Sequence, residues 1–266
     1  MLLGMVIALC VVDDVAWILA FRQDWRPMVL NLKDQWSFIK RGTGFPMNSF
    51  TPYVRARSVE QKEERRRHLL ATARAMLDDS PGALDLGINE LARQAQMTKS
   101  NVYRYFESSE AVLIDVLVEE YAGWQAELGV ALSQDGKAEA TVEDIAAVFA
   151  QTLCARPLLC RLTSIMPSIL ERKLSFERMV EFKRNLLALR HQAAQAFHAR
   201  LPEISVDSFE EVIKYALPLI IGLWPLSNPI DVAAQVIALP ELEGLRYDFQ
   251  HDVERALLTL LRGARC

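Results

Sequence analysis

Three features of the sequence predict an all-α chain. Apolar residues recur at threes and fours along most of its length, no stretch alternates at period two for long, and Pro, Gly and Ser/Thr punctuate it at helix-length intervals. The same pattern divides a small three-helix head, residues 59–107, from a larger helical body, residues 108–266. With 266 residues, 51% of them hydrophobic and 24% charged, the chain has material for one or two ample cores.

Residues 1–21 are an almost unbroken apolar run, yet Asp13 and Asp14 stand inside it. Each would cost about 2.5–3.5 kcal/mol near a bilayer centre, offsetting the few tenths gained from each aliphatic neighbour. Membrane insertion is therefore not expected. No Lys or Arg precedes the run, so the charged start of a secretory signal is missing as well. Residues 22–58 show no sustained period and are interrupted by Pro27, Pro46 and Pro52. The expectation is that residues 1–58 form an extension without a working role and that translation starts at Met47.

From residue 59 to 77 a charged opening that includes Arg65, Arg66 and Arg67 leads into Leu69, Leu70, Ala73 and Leu77 on one side. Pro81 and Gly82 stop this helix. The arginine run reads first as a solvated face. Residues 87–113, GINELARQAQMTKSNVYRYFESSEAVL, then read as two short helices, a tight turn between them, and the start of a long third. Ile88, Leu91, Ala92 and Ala95 give the first one apolar face, and Gln96-Met97 make the turn. Thr98 is a natural N-cap, whose hydroxyl can satisfy an early N–H of the second helix. There Val102 and Phe106, four apart, face inward, leaving Lys99, Ser100, Asn101, Tyr103, Arg104 and Tyr105 outside. Such a helix suits base edges near its N-terminus and phosphates farther along. Similar helix pairs also occur in proteins that never touch nucleic acid.

The order Asn-Glu-Leu-Ala-x-x-Ala, Met-Thr-Lys-Ser-Asn-Val-Tyr-Arg-Tyr-Phe and Glu-Ser-Ser-Glu-Ala-Val-Leu resembles the N-terminal domain of the tetracycline-repressor (TetR) family of transcription regulators, over residues 62–120. The resemblance implies a helix-turn-helix DNA-binding head, residues 59–107, and a body, residues 108–266, that binds an effector and dimerises. It implies a ligand-responsive repressor that binds double-stranded DNA as a homodimer on a palindromic operator. Thr98, Lys99, Ser100 and Asn101 are then the candidates for base and groove contacts, and Tyr103, Arg104, Tyr105 and Arg66 for phosphate. Arg55 and Arg57 are candidates for a basic arm. The sequence departs from the family in three places. Gly87 stands where a Thr often caps the second helix, and Ser109 stands where a Lys usually offers phosphate an ammonium. Gln96-Met97 replace a Gly followed by a small aliphatic residue.

The net charge of −4 looks wrong for a nucleic-acid binder until it is mapped. Between Arg55 and Arg104 ten Lys or Arg face seven Asp or Glu, a local +3 that leaves −7 elsewhere. A basic module on an acidic body fits a small DNA footprint. Cys10, Cys154, Cys160 and Cys266 show no CxxC spacing, so a reducing cytoplasm is expected.

In the body, residues 109–132 carry Val112, Leu113, Val116, Leu117, Tyr121, Trp124 and Leu128 at helical spacing. After a loop, Thr141 opens a helix through Cys154 with Ile145, Val148, Phe149 and Leu153 inward. Arg156-Pro157 break the chain, and residues 158–170 are apolar on most sides, as in a buried helix. Ser175 opens a long helix with the stripe Phe176, Met179, Val180, Leu186, Leu187, Ala193, Ala194 and Phe197. Ser208-Phe-Glu-Glu211 reads as a capping box for a helix ending before Trp224-Pro225. Residues 231–239 and 248–261 complete the set.

No nucleophile motif, phosphate loop or metal-ligand cluster occurs, so neither an enzyme nor a cofactor or metal is expected. Trp124, Phe149, Leu153, Leu162, Met166, Phe176, Met179, Phe182 and Trp224 suit either plain core or the walls of a pocket for a small apolar or aromatic effector. Arg161 and Arg172 are possible anion anchors there. Ile220, Gly222, Leu257, Leu258 and Leu261 are the candidates for a dimer interface built as a four-helix bundle. Two alternatives remain open: a helical sensor tethered to a membrane by residues 1–21, and a helical metal enzyme using His191 and His198, seven apart.

Overall fold

The computed structural model of the chain describes residues 53–79, 86–134 and 140–264. The expectations about residues 1–52, including the membrane tether and the start at Met47, lie outside the described residues. Among these, the helices are α1 (Tyr53–Asp79), α2 (Ile88–Gln94), α3 (Lys99–Val102), α4 (Ser109–Gln134), α5 (Val142–Cys154), α6 (Pro157–Ile165), α7 (Phe176–Arg200), α8 (Val206–Ser227), α9 (Asp231–Ile237) and α10 (Phe249–Ala264). No strand occurs among the described residues. Between α6 and α7 the chain widens into a π-helical turn, Met166–Leu170, where Pro167 has no N–H to give, and tightens into a 3-10 turn, Glu171–Lys173. A second 3-10 segment, Pro240–Leu245, follows α9.

The head closes around the apolar stripe that the sequence marks: Leu69, Leu70, Ala73, Leu77, Leu91, Ala92, Ala95, Val102 and Phe106 are all buried. α1 packs on α2 and α4, and α2 on α3. α4 then runs on as the axis of the body, meeting α5, α6 and α7, while α8 packs against α6, α7 and α10 and α10 against α5. Phe149, Phe197 and Phe209 stack through the body core with ring centroids 6.3 and 5.5 Å apart.

Capping follows the sequence at three places. Thr98 Oγ1 accepts from Asn101 N–H, Ser175 Oγ from Arg178 N–H, and Thr141 shares a reciprocal capping box with Asp144. At α8 the reading needs correction, because the cap is Ser205, whose hydroxyl accepts from Ser208 N–H at 3.1 Å. Two serines three apart offer the same hydroxyl, and the helix takes the earlier one. α8 also runs through Pro218 and Pro225 to Ser227. Each interior proline costs about 3 kcal/mol by propensity, which the packing of α8 on three helices offsets.

The segment around α3 is tighter than the sequence implies. α3 is one α turn, and residues 103–105 continue it as turns with Arg104 N–H on Asn101 O and Tyr105 N–H on Val102 O. The turn before it bends through Gln96, whose φ of 55° lies in the left-handed region. That is the position where the family resemblance implies glycine, and a side chain is strained there.

Most of the dimer candidates lie inside this one chain. Ile220, Leu257 and Leu261 are buried inside this one chain, Leu258 is half-buried, and of the five only Gly222 is exposed. The stripe on α10 is consumed by α5 and α8, and an apolar stripe does not say whether its partner belongs to the same chain.

Replacing Thr141 with Ala removes one cap hydrogen bond and frees Asp144, and is expected to lower unfolding free energy by about 1 kcal/mol. Urea denaturation followed by circular dichroism measures it, with exposed Thr259→Ala as the control expected to stay within about 0.5 kcal/mol.

Candidate nucleic-acid interface and effector cavity

The outer surface of the head carries most of the residues singled out for DNA. Thr98, Lys99, Ser100, Tyr103 and Arg104 are exposed, with the Lys99 ammonium 5.9 Å from the centre of the Tyr103 ring. Asn101 is half-buried, at the N-terminal turn of α3. Two placements differ from the expectation. Tyr105 is half-buried and packs against the head core rather than pointing outward, because the tight turns after Val102 rotate it inward. Arg66 is already engaged: its guanidinium donates to Asp115 Oδ2 at 2.6 Å, lies 3.7 Å from Glu63 and sits over the Phe106 ring. A guanidinium with two carboxylates and a ring around it has little left for phosphate.

On α2, Glu90 accepts from Arg93 and Gln94, and these bonds, the Arg93 one foremost, hold its carboxyl down to about 2. The ion pair steadies a helix whose N-cap, Gly87, supplies no side-chain hydrogen bond.

The seam between head and body is ionic, which the sequence reading missed. Asp115 on α4 is shared between Arg66 of α1 and Arg178 of α7. One turn and a half later Glu120, also buried, is shared between Arg74 of α1 at 3.3 Å and Arg156, just before α6, at 2.9 Å. Arg156 spreads further onto Glu127. Gly123 makes room for it, since a Cβ there would lie 3.0 Å from both terminal guanidinium nitrogens. Two backbone bonds complete the seam. Ser175 N–H donates to Glu107 at 2.8 Å and Arg161 donates to the Leu77 carbonyl at 2.8 Å. One signal was available in the sequence: Asp115 interrupts the run Ala-Val-Leu-Ile-x-Val-Leu, and an acid buried among apolar neighbours requires cationic partners.

The body encloses a cavity of about 280 Å³ between α4, α5, α7 and α8. Of the nine pocket candidates, Trp124 and Phe149 line it, packed edge to face at 4.9 Å. Leu153, Leu162, Met166 and Phe182 are core, and Met179 is half-buried against that core. Phe176 is 78% exposed, since it begins α7 beyond the body's edge, and Trp224 packs instead on Phe249 at 4.9 Å. The wall is completed by residues that were not expected, chiefly Tyr121 and Gln125 on α4, Leu186, Leu187 and Arg190 on α7, and Ile213, Lys214, Leu217 and Ile220 on α8. Burial pushes the Tyr121 phenol up to about 12, so it stays protonated and bonded to Thr163 Oγ1 at 3.0 Å. Neither Arg161 nor Arg172 reaches the cavity.

Residues 118–266 match the sequence profile described as tetracyclin repressor-like, C-terminal domain. That match covers more than half of the chain, on the body where the N-terminal resemblance had faded. The chain belongs to the TetR family. No curated protein sequence matches it. Among solved structures it is similar to a TetR transcriptional regulator from Rhodococcus sp. RHA1, with 15% identity over 76% of this chain and 97% of that one and a TM-score of 0.49. It is likewise similar to the transcriptional regulator FadR from Bacillus subtilis in complex with stearoyl-CoA, with 16% identity over 74% and 98% and a TM-score of 0.41. Reduced NemR from E. coli gives 21%, 74%, 96% and 0.41.

The two histidines of the metal-enzyme alternative are both engaged by other groups. His191 bonds Glu210 at 2.6 Å and His198 the Ile204 carbonyl at 2.8 Å. No group of three or more His, Cys, Asp or Glu fit to hold a metal occurs among the described residues. No single helix among the described residues is long and apolar enough to cross a membrane.

Neutralising the shared carboxylate by Asp115→Asn leaves two guanidiniums with weakened partners in a half-buried seam. A fully buried pair would lose about 3–5 kcal/mol, and with both arginines partly exposed a loss of about 2 kcal/mol is expected in urea unfolding.

Proposed function

We propose that this TetR-family regulator is a homodimeric repressor that holds a palindromic operator and releases it when a small effector occupies the body cavity. The observation that carries the reading is the exposed polar turn of α3, capped by Thr98 and flanked by Lys99 and Arg104. It stands on a head bound to the body through Asp115 and Glu120. Thr98, Lys99, Ser100 and Asn101 meet bases and groove edges, and Tyr103 and Arg104 meet phosphate. Arg66 and Tyr105 act one step back, orienting α3 through Asp115 and the head core.

One such turn spans only a few base pairs, so specificity needs two copies about a two-fold axis. The surface that suits a second copy is the outer face of α8, where Tyr215, Pro218, Gly222 and Leu226 recur along one side and are exposed. It continues through Ile230 into α9, where Val232 and Val236 are exposed too. Contiguous apolar surface of this kind marks an interaction face. The outer face of α10 carries Gln250, Arg255, Thr259 and Arg262 instead.

Coupling runs along α7. Its middle forms a wall of the cavity, and its first turn is tied to the head by Ser175 on Glu107 and Arg178 on Asp115. An effector that displaces α7 shifts the population toward a head spacing unfit for the operator. It must favour that spacing by about 1.4 kcal/mol for each tenfold loss of DNA affinity.

In fluorescence-anisotropy titrations on operator duplexes at several KCl concentrations, Asn101→Ala is expected to relax discrimination between sequences. Arg104→Ala should weaken all sequences alike and reduce the salt slope by about one. Identical behaviour of the two variants would refute this division of roles.

A Cβ added at Gly222, on the exposed face of α8, meets no atom within 4 Å, so the fold should survive Gly222→Glu. Sedimentation of Gly222→Glu/Leu226→Glu is expected to show monomers that no longer hold the operator, and a persisting dimer at micromolar concentration places the contact elsewhere.

A further inference from the structure

The cavity wall is unbalanced in charge. Lys183, Arg190 and Lys214 border it, and no Asp or Glu does. Two of these cations are partly answered from outside the wall. Lys183 pairs with Glu171 at 2.6 Å and Arg190 lies 3.5 Å from Glu210. Lys214 has no ionic partner among the described residues; its ammonium rests only 5.9 Å from the Tyr215 ring. The Arg190 Nε–H is buried and donates to nothing among the described residues. Buried donors without acceptors are rare and unfavourable.

The polar groups deeper in the wall are already used. Trp124 Nε1 donates to Thr152 at 3.0 Å, Gln125 Nε2 donates to the Leu189 carbonyl at 2.5 Å, and Tyr121 shares its hydroxyl with Thr163. The floor is therefore apolar in effect, formed by buried Phe149, Ala193, Ala216 and Ile220. The cations, by contrast, lie where the wall is exposed or half-exposed.

From this arrangement we infer that the effector is an amphiphilic monoanion, an aliphatic or aromatic body bearing one carboxylate. Its apolar part fills the floor and its anionic head sits at the mouth between the Lys214 ammonium and the part-exposed Arg190 guanidinium. The inference rests on the reading of this cavity as the effector site. It ranks cationic ligands lowest, since they would meet the unpaired Lys214 and no carboxylate in the wall, and neutral ones below the acid of equal length.

Isothermal titration of the full chain with decanoate, decan-1-ol and decyltrimethylammonium tests it. Decanoate is expected to bind at least about tenfold tighter than decan-1-ol, a difference that one charge-assisted hydrogen bond supplies. The ammonium compound should bind weakest. Lys214→Gln, at an exposed position, should remove most of the decanoate advantage and leave decan-1-ol unchanged. Equal binding of acid and alcohol, tightest binding by the ammonium compound, or an acid preference that survives in both Lys214→Gln and Arg190→Gln would overturn the anionic assignment while the cavity remains a ligand site. Binding by none of the three overturns the effector-site reading together with it.

Discussion

Two carboxylates on α4, each shared by an arginine from the head and an arginine from the body, are what the rest of the molecule depends on. Asp115 takes Arg66 and Arg178, and Glu120 takes Arg74 and Arg156. A buried carboxylate is unfavourable alone, and a single buried ion pair often contributes little net stability. A carboxylate flanked by two guanidiniums is different, because both partners are needed to offset its desolvation. Neither the head nor the body can leave without exposing the imbalance. The seam is thus specific in direction, which an apolar seam would not be.

This constraint gives α7 two roles on one rigid cylinder. Its first turn touches the seam through Ser175 and Arg178, and its middle forms the cavity wall. The head hangs on α4, which passes the same cavity at Tyr121, Trp124 and Gln125. Under the proposed coupling, a ligand filling the space between α4 and α7 would press on both sides of the Asp115 clamp. Packed helices do not deform continuously, so a displacement there is transmitted as a shift between discrete arrangements.

Much of the head was legible because its contacts are local. Thr98 lies three residues from the N–H it caps, and the stripe from Leu69 to Phe106 closes within one small core. Arg66 and Tyr105 were misplaced for the converse reason: what holds Arg66 is Asp115, forty-nine residues away, and what turns Tyr105 inward is the short span of α3. In the body the helices were legible and the uses of their faces were not. Ile220 lines a cavity and Leu257 and Leu261 fill a core, although all three read equally well as interface. Lys183, Arg190 and Lys214 look like solvated charges until α7 and α8 bring them around one opening.

The sequence by itself determined the helical content, three helix starts through the Thr98, Thr141 and Ser175 caps, the three-helix head and, through the Val-Tyr-Arg-Tyr-Phe segment, the resemblance to the family. Those features depend on interactions within a turn or two of chain. Only the tertiary structure decided which apolar stripe meets which, where the cavity opens, and that acids of α4 join arginines on either side. Each of these is a pairing between distant segments, and periodicity records that a face is apolar or charged without recording its partner.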